Sequence, residues 1–452
     1  MADYMPHTPE EVSEMLQFLG MDSLEQLFDH IPAAVRLSQG LDLPDGMSEP
    51  DVAAYFATLT QKNKAKASQM TCFAGAGAYD HEVPPVVKML GSRSEFVTAY
   101  TPYQPEVAQG VLQAIFEYQT LVSRLSGLPI PNASLYDAAT GLVEAVNMAA
   151  GATSKTKIVM SQGVHPHWRE TVRTFAKGTG YTIVEVPLVD GVTQWASVDA
   201  SDAAAVVGAY PNYLGVIEDM APAKALSEHT GALFVLGIDP VAASLLKTAG
   251  QWGADVMIGE GQAFGTSLNF GGPYLGLFAC TEAQIRRLPG RIVGETVDSS
   301  GRRAFVTTLR AREQDIRREK ATSNICSNQT LMAVTAAIQL GWLGTEGLRE
   351  VALRCAQSAH YLFDEIMKID GIEPVSTQPF FREFAFRVPG SASEVLSSMA
   401  ANGVLGGLSI ARLDTASGDS QPDNTILVTT TERRTKDEID TYVELLRKAV
   451  AS

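Results

Sequence analysis

The chain has 452 residues, of which 45% are hydrophobic and 19% are charged, and its formal net charge is −16. This length favours one large and one smaller domain with an extension, rather than a single core. The negative charge argues against nucleic acid or an anionic membrane as the main partner.

The four cysteines lie far apart and include no Cys-x-x-Cys pair, so they indicate neither a zinc site nor a disulfide framework. This usage fits a reducing cytoplasm. The N-terminus lacks a basic region followed by an apolar core, and no apolar run reaches the roughly 18 residues that would span a membrane. We therefore expect a cytoplasmic chain that is not embedded in a membrane and binds no metal.

Residues 1–60 predict an N-terminal helical arm. Thr8 to Glu11 have the form of a capping box, and apolar residues follow at helical spacing, namely Val12, Met15, Leu16 and Leu19. A second short helix is predicted from Ser23 to His30. The arm is either a packing extension or a clasp around another subunit, and the sequence does not choose between them.

Residues 61–335 predict a large α/β domain. A helix is expected from 105 to 126, and strand-like runs alternate with helices after it, at 157–160, 182–187, 205–210 and 233–236. Such alternation predicts a mostly parallel sheet covered by helices on both faces. Ligands would then gather at the carboxyl ends of the strands.

Residues 336–452 predict a small α+β domain. Two helices, at about 326–340 and 345–368, lead into it. Its own elements are predicted at 383–388 (strand), 391–402 (helix), 426–430 (strand) and 436–450 (helix).

Two buried strands of the large domain are arranged as in fold-type-I pyridoxal enzymes, but the lysine is missing. The first strand ends at Asp239, where such enzymes place an aspartate on the pyridine nitrogen. The second, from Ala254 to Ile258, is followed at the expected lysine position by Gln262 and Ala263. Neither side chain can form an imine.

The chain has no lysine between Lys247 and Lys320. A self-sufficient pyridoxal enzyme would therefore need an atypical lysine, such as one of these two. Lys247 precedes the second strand, however, and Lys320 lies in a cationic run.

A loop from Asp137 to Gly141 opens onto a predicted helix. In a pyridoxal enzyme this loop would hold phosphate on free backbone N–H groups, so Thr140, Gly141 and Asp239 would be vestigial cofactor contacts. The alternative, which we favour, is that Thr140 is a helix N-cap.

A proline-bounded loop before the helix at 105–126 contains Tyr100, Tyr103, Gln104 and Glu106. Because proline restricts the backbone, such a loop presents hydroxyls and a carboxylate at low entropic cost, which favours a role in a site. The alternative is a helix start with Glu106 in its first turn.

A cationic run, Arg310–Lys320, continues into the polar residues Thr322, Ser323 and Asn324. It is either a solvated helix with i,i+4 pairs, such as Glu313 with Arg317, or a surface that attracts a carboxylate or an acidic partner.

Several of these segments closely resemble the P-protein of the glycine cleavage system. The segments are 15–20, 23–27, 73–81, 100–106, 289–294 and 312–326, so the resemblance covers essentially the whole chain. Single-chain members are about twice as long, and this chain resembles the separate N-terminal half, subunit 1.

The resemblance implies a half-enzyme with an aspartate-aminotransferase-like fold. In this family the pyridoxal phosphate lysine belongs to subunit 2, and the two subunits form an α2β2 assembly. The complex decarboxylates glycine on pyridoxal phosphate, releases carbon dioxide and passes the aminomethyl group to the lipoyl arm of H-protein. This chain would be a degenerate copy of the catalytic subunit.

Subunit 1 would then complete the pocket or the lipoyl tunnel of its partner. The candidate residues are Tyr100, Tyr103, Gln104, Glu106, Lys320, Ser323 and Asn324. Tyrosine hydroxyls would position the substrate amine or the lipoyl sulfur, and Lys320 or Arg317 would attract a carboxylate. The alternatives are a scaffolding subunit with no catalytic contribution and, less favoured, the self-sufficient enzyme.

Overall fold

The structure is a computed structural model that describes residues 6–37, 39–63, 70–269, 271–413 and 422–451. By its internal contacts the chain divides into two units, Met1–Lys64 and Ala65–Ser452. Among the described residues, no helix is long and apolar enough to cross a membrane.

The first unit contains the helices α1 (Pro9–Leu19) and α2 (Glu49–Lys62) and two short 3₁₀ turns, Leu24–Phe28 and Ala33–Val35. The predicted capping box is confirmed, since Thr8 and Glu11 each accept the other's backbone N–H. The helix predicted at 23–30 is only the first 3₁₀ turn. None of the described residues of this unit is buried, so the unit has no core of its own.

The described strands of the second unit are β1 (Thr71–Cys72), β2 (Ile130–Pro131), β3 (Lys157–Ser161), β4 (Thr182–Val186), β5 (Leu188–Val189), β6 (Val192–Thr193), β7 (Ala203–Tyr210), β8 (Leu233–Ile238), β9 (Val256–Glu260), β10 (Gly276–Cys280), β11 (Ile292–Val297), β12 (Arg303–Thr308), β13 (Glu373–Pro374), β14 (Glu383–Arg387), β15 (Val404–Leu405), β16 (Leu408–Ser409) and β17 (Thr425–Thr429). The predicted strands are thereby confirmed.

The described helices of the second unit are α3 (Pro85–Gly91), α4 (Ser94–Val97), α5 (Gln109–Ser126), α6 (Ala138–Thr153), α7 (Pro166–Thr179), α8 (Ala221–Thr230), α9 (Gln314–Arg317), α10 (Thr330–Ile366), α11 (Ala392–Ala401), α12 (Ile410–Leu413) and α13 (Lys436–Ala451). The backbone of α10 leaves the helical conformation at Gly344, whose φ is 62°. Two helices were predicted here, and this interruption separates them.

A seven-stranded sheet forms the centre of the second unit, in the order β2-β10-β9-β8-β7-β3-β4. The five strands from β9 to β4 pair in parallel, whereas β10 is antiparallel to both of its neighbours, β9 and β2. Every residue of β7 and β8 is buried because helices cover both faces. The mostly parallel sheet predicted from the sequence is confirmed.

Two apolar cores lie on the sheet. One includes Phe234 and Met257 and is packed with residues of α5 and α10, and the other includes Val207 and Phe278 and is packed with residues of α6. The carboxyl ends of the parallel strands thus open between the two covering layers.

The C-terminal part has its own antiparallel sheet, in the order β13-β14-β17-β16. A separate core joins this sheet to α11 and α13 through Phe386, Met399 and Tyr442. Arg382, which directly precedes β14, and Glu383, the first residue of β14, also reach the pocket described next.

Candidate functional site

A small pocket lies at the carboxyl ends of β7, β8 and β9, where the sequence predicted ligand binding. Its volume is about 70 Å³, and its lining includes Tyr79, Asp239, Glu260, Arg382 and Glu383. Pockets that hold cofactors usually have volumes of about 300–1,000 Å³. The fold's usual ligand position is therefore nearly closed.

Arg382 fills the part of the pocket next to Asp239. Its side chain is 2% exposed, and its Nη2 lies 2.7 Å from the Asp239 carboxylate. The guanidinium stacks on the ring of Tyr79, with its carbon 3.8 Å from the ring centroid. Asp239 is thus paired with a cation of its own chain at the place where the sequence predicted contact with a pyridine ring.

Glu260 fills the position at the start of α6. One carboxylate oxygen accepts the N–H of Ala138 at 3.2 Å, and the other accepts the N–H groups of Gln262 and Leu275, both at 3.1 Å. Burial raises the pKa of Glu260 to about 8. The N-terminus of α6, which would otherwise attract a phosphate, already has an acid side chain.

The prediction that Thr140 is the N-cap of α6 is wrong. Asp137 is the N-cap and accepts the N–H of Thr140 at 2.8 Å, while the Thr140 hydroxyl donates back to Asp137. A carboxylate accepts both hydrogen bonds at once, which a hydroxyl does less well. Gly141 is buried against Leu135 and Ile258. Of the three predicted vestigial contacts, only Asp239 lines the pocket.

Gln262, at the expected lysine position, is 1% exposed and holds backbone groups. Its carboxamide nitrogen donates to the carbonyls of Tyr79 and Thr266 at 3.0 and 2.7 Å, and its oxygen accepts the N–H of Tyr79 at 2.8 Å. Ala263 is also buried. With Arg382, Glu260 and Gln262 in these places, the pocket does not fit pyridoxal phosphate.

We expect Gln262→Lys alone to leave the chain unable to bind pyridoxal phosphate, because Arg382 and Glu260 still occupy the pocket. The measurement is visible absorbance and borohydride trapping after the variant is mixed with the cofactor. Ala263→Lys is the matched variant at the neighbouring position. A trapped pyridoxyl group on residue 262 would show that the pocket opens more easily than its contacts indicate.

His81, Cys355 and Glu432 form a cluster whose potential metal-ligating atoms lie within 4.8 Å of one another. Arg382 donates to Nε2 of His81, and since arginine has no acceptor, the proton of a neutral His81 must lie on Nδ1. Nδ1 lies 2.7 Å from the Glu432 carboxylate. The cluster is therefore a buried hydrogen-bond network that supports Arg382.

The two surface motifs predicted from the sequence meet at Arg291, which is 6% exposed. Its Nη2 donates to the Tyr103 hydroxyl at 2.9 Å and also to the carbonyl of Cys326. The guanidinium carbons of Arg291 and Arg310 lie 5.2 and 5.3 Å from the centroid of the Tyr103 ring. We call these four residues the Arg291 junction.

The other residues of the first motif lie around the junction on the surface. Tyr100 is 85% exposed, and Gln104 and Glu106 are also exposed. Glu106 lines a separate cavity of about 660 Å³ between α5 and the hairpin of β11 and β12. The structure thus brings Tyr103, but not Glu106, to the second motif.

The solvated helix considered for 310–320 is not formed. The segment consists of the short helix α9 between two 3₁₀ turns, Arg310–Arg312 and Arg318–Lys320. Glu313 is 9% exposed and faces Arg291 and Arg312, whose charges counteract the increase in its pKa that burial causes. The backbone leaves the helical conformation at Arg318, whose φ is 51°, so α9 ends after about one turn.

The cationic run instead lines a cavity of about 370 Å³. Within the described part of the chain, its lining contains no acidic residue but four cations, namely Arg286, Arg312, Arg317 and Lys320. Partial burial lowers the pKa of Arg312. Clustered guanidinium and ammonium groups favour a carboxylate or phosphate ligand.

Ser323 is half-buried and hydrogen-bonds to Glu144 of α6, whereas Asn324 is exposed. Burial of Glu144 raises its pKa from 4.5 to about 7, although hydrogen bonds to Ser323 and Asn147 act in the opposite direction. The segment after the cationic cavity is therefore held against α6 by a carboxyl group that titrates near neutral pH.

The raised pKa of Glu144 predicts a loss of stability as the pH rises. The native state retains a proton that the unfolded chain releases above pH 4.5, so stability is greatest below pH 4.5, falls as the pH rises from 4.5 to about 7, and levels off above that. The full effect is about 3 kcal/mol. We expect Glu144→Gln to reduce this dependence in urea unfolding measured at pH values from 4.5 to about 7. The exposed variant Glu117→Gln should not, and an unchanged slope in Glu144→Gln would contradict the assignment.

Comparison with known proteins places the whole chain in one family. Residues 2–446 match the family model described as the glycine cleavage system P-protein. The chain belongs to the P-protein family. It is 46% identical over 451 residues to a protein named probable glycine dehydrogenase (decarboxylating) subunit 1 from Moorella thermoacetica, with 99% of this chain and 100% of the relative covered. A relative of the same name from Carboxydothermus hydrogenoformans is 45% identical, with 98% and 99% covered.

Solved structures confirm the fold of this P-protein family member. A crystal structure of glycine decarboxylase (P-protein) of the glycine cleavage system, in inhibitor-bound form, superposes with a TM-score of 0.90 at 43% identity and covers 99% of this chain and 100% of that one. A NifS-like protein from Rickettsia africae gives a TM-score of 0.62 at 11% identity, with 85% and 100% covered, and shows the fold alone. The predicted fold-type-I architecture is confirmed.

Sequence reasoning missed several residues of this P-protein family member, namely Glu144, Glu260, Arg291 and Arg382. Arg291 stands inside 289–294, which carried part of the family resemblance, and directly precedes the apolar residues that begin β11. A charged residue directly beside buried apolar residues indicates a side chain with a specific partner, so Arg291 could have been recognised from the sequence. The local sequence patterns around Glu144 and Glu260 did not single out either acid.

Proposed function

We propose that the chain is subunit 1 of a heteromeric glycine decarboxylase, an oxidoreductase component of the glycine cleavage system. With subunit 2 it decarboxylates glycine on pyridoxal phosphate and transfers the aminomethyl group to the lipoyl arm of H-protein. Subunit 2 carries the cofactor, the assembly is α2β2, and it works in the cytoplasm. The closed pocket carries this proposal, because Arg382, Glu260 and Gln262 occupy the places that a cofactor would need.

The role of this chain is to complete the site of its partner from the surface around the Arg291 junction. Apolar side chains are exposed on the same loops and on α3 and α4, notably Met89, Val97, Tyr100, Val107 and Leu309. Exposed apolar groups in such number mark a surface that another protein covers. Tyr103 would orient the substrate amine or the lipoyl sulfur, and Lys320 would attract a carboxylate.

The structure supports this role over a self-sufficient pyridoxal enzyme. Lys247 is exposed, with Nζ 4.1 Å from the ring centroid of Trp252, and Lys320 lines the cationic cavity. Neither lysine is among the described residues that line the closed pocket. A purely scaffolding subunit remains the second candidate, and site-facing variants distinguish it.

The first test is glycine-dependent exchange of carbon dioxide in the presence of H-protein and pyridoxal phosphate. This chain alone, subunit 2 alone and their mixture are compared, with borohydride trapping of the cofactor. We expect activity in the mixture and a trapped cofactor on subunit 2. Activity and trapped cofactor in this chain alone would overturn the proposal.

The second test separates catalysis from scaffolding. We expect Tyr103→Phe and Lys320→Ala to lower aminomethyl transfer by about tenfold or more while the complex still assembles, because each removes one positioning contact. Lys177→Ala, an exposed lysine of α7, is the control. Wild-type rates in both site variants would favour the scaffold.

A further inference from the structure

Most of the exposed large apolar side chains among the described residues lie in the first unit. Of the 26 that are exposed among the described residues, 15 lie between Met15 and Leu59. Phe18 is 89% exposed and Phe56 is 60% exposed. A segment that exposes this much apolar surface and buries none of its own residues requires a surface to cover it.

The apolar residues of this unit follow the spacing of groove-binding helices. In α2 they occur at i, i+3, i+4 and i+7, namely Val52, Tyr55, Phe56 and Leu59, which form a single stripe. The apolar residues of α1 repeat the same spacing. A helix with this stripe binds by laying it into an apolar groove, with the aromatic residues as anchors.

The net charge of the first unit indicates which charged residues should line the rim of that groove. The first 64 residues include eleven aspartates and glutamates but three lysines and arginines, a net charge of −8, which is half of the chain's −16. Two copies of the unit therefore repel each other. A complementary groove carries lysines or arginines along its rim.

We propose that the stripe of α2 docks into an apolar groove with a cationic rim on subunit 2. This inference rests on the proposed function. Interfaces between obligate subunits are larger and more apolar than interfaces of transient complexes. The exposed apolar stripe therefore requires a permanent partner. The lipoyl carrier meets the complex only during turnover and would leave the stripe exposed between encounters.

The experiment uses full-length chains and compares the double variant Tyr55→Ala, Phe56→Ala with wild type. Alanine preserves the helix, so only the anchors are lost. The control on α2, away from the stripe, is Thr58→Ala, Gln61→Ala, and both residues are exposed. The Kd for subunit 2 is measured by calorimetry at low and high salt.

We expect the double variant to raise the Kd about 100-fold or more, since two aromatic anchors are removed, each worth about tenfold or more. The control should leave the Kd unchanged, and salt should weaken wild-type binding. A double variant with wild-type affinity would overturn the inference alone. A wild-type chain that does not bind subunit 2 would overturn the proposed function and the inference with it.

Hydrogen exchange of the α2 amides provides an independent measurement. Protection that increases when subunit 2 is added supports docking on the partner. Equal protection in the isolated chain would mean that its own residues cover the stripe, and the inference would fail.

Discussion

Replacing Arg382 with methionine is expected to destabilise the protein by about 3–5 kcal/mol, because it leaves a buried carboxylate without its partner. Arg382 is 2% exposed, pairs with Asp239 at 2.7 Å, stacks on Tyr79 and donates to His81. A methionine fills much of the volume but supplies no charge and no donor. Urea unfolding of the purified chain measures the loss.

The double variant Arg382→Met, Asp239→Asn identifies the cause. In the native chain Asp239 accepts the N–H of Val241 at 2.9 Å. An asparagine at position 239 can still accept this hydrogen bond, and because it is neutral it needs no counter-charge. We expect the double variant to restore a large part of the stability that Arg382→Met loses. The exposed variant Arg387→Met should cost little. If the urea midpoint of Arg382→Met equalled that of the wild type, the contacts of Arg382 in the closed pocket would not contribute to the stability of the fold.

Arg291→Met is expected to lower glycine-dependent exchange by the reconstituted complex about 100-fold, because a small displacement of positioning groups has effects of this size. Arg291 connects the Tyr103 hydroxyl with the carbonyl of Cys326 in the junction. Without it, the two motifs lose their common anchor. The loss should appear in kcat with binding to subunit 2 preserved.

Arg349→Met, an exposed arginine of α10, is the control for the loss of charge. Arg291→Lys should recover only part of the rate, since one ammonium lacks the fixed fork of the guanidinium. Full activity of Arg291→Met in an assembled complex would show that the Arg291 junction has no role in the reaction.

The sequence predicted the architecture well because each buried strand has its own local pattern. The apolar runs of β7 and β8 and the interruption of α10 at Gly344 are properties of neighbouring residues. Asp239 could be placed at a strand end for the same reason.

The closure of the pocket could not be predicted, because it depends on residues distant in sequence. Glu260 reaches Ala138 across 122 positions, and Arg382 directly precedes β14, which belongs to a different sheet. Gln262 indicated that an imine was impossible but not that its amide holds the segment at Tyr79. Likewise, the two motifs were recognised separately, while their common anchor, Arg291, was not.

The closed pocket also means that the stability of this chain does not depend on a bound cofactor. A protein that binds a ligand only in its native state gains RT ln(1 + [L]/Kd) of stability, so it weakens when the ligand becomes scarce. Here Arg382 and Glu260 supply the contacts from within the chain. Its melting temperature should therefore not depend on pyridoxal phosphate, and a cell short of vitamin B6 would still accumulate this polypeptide in its folded form.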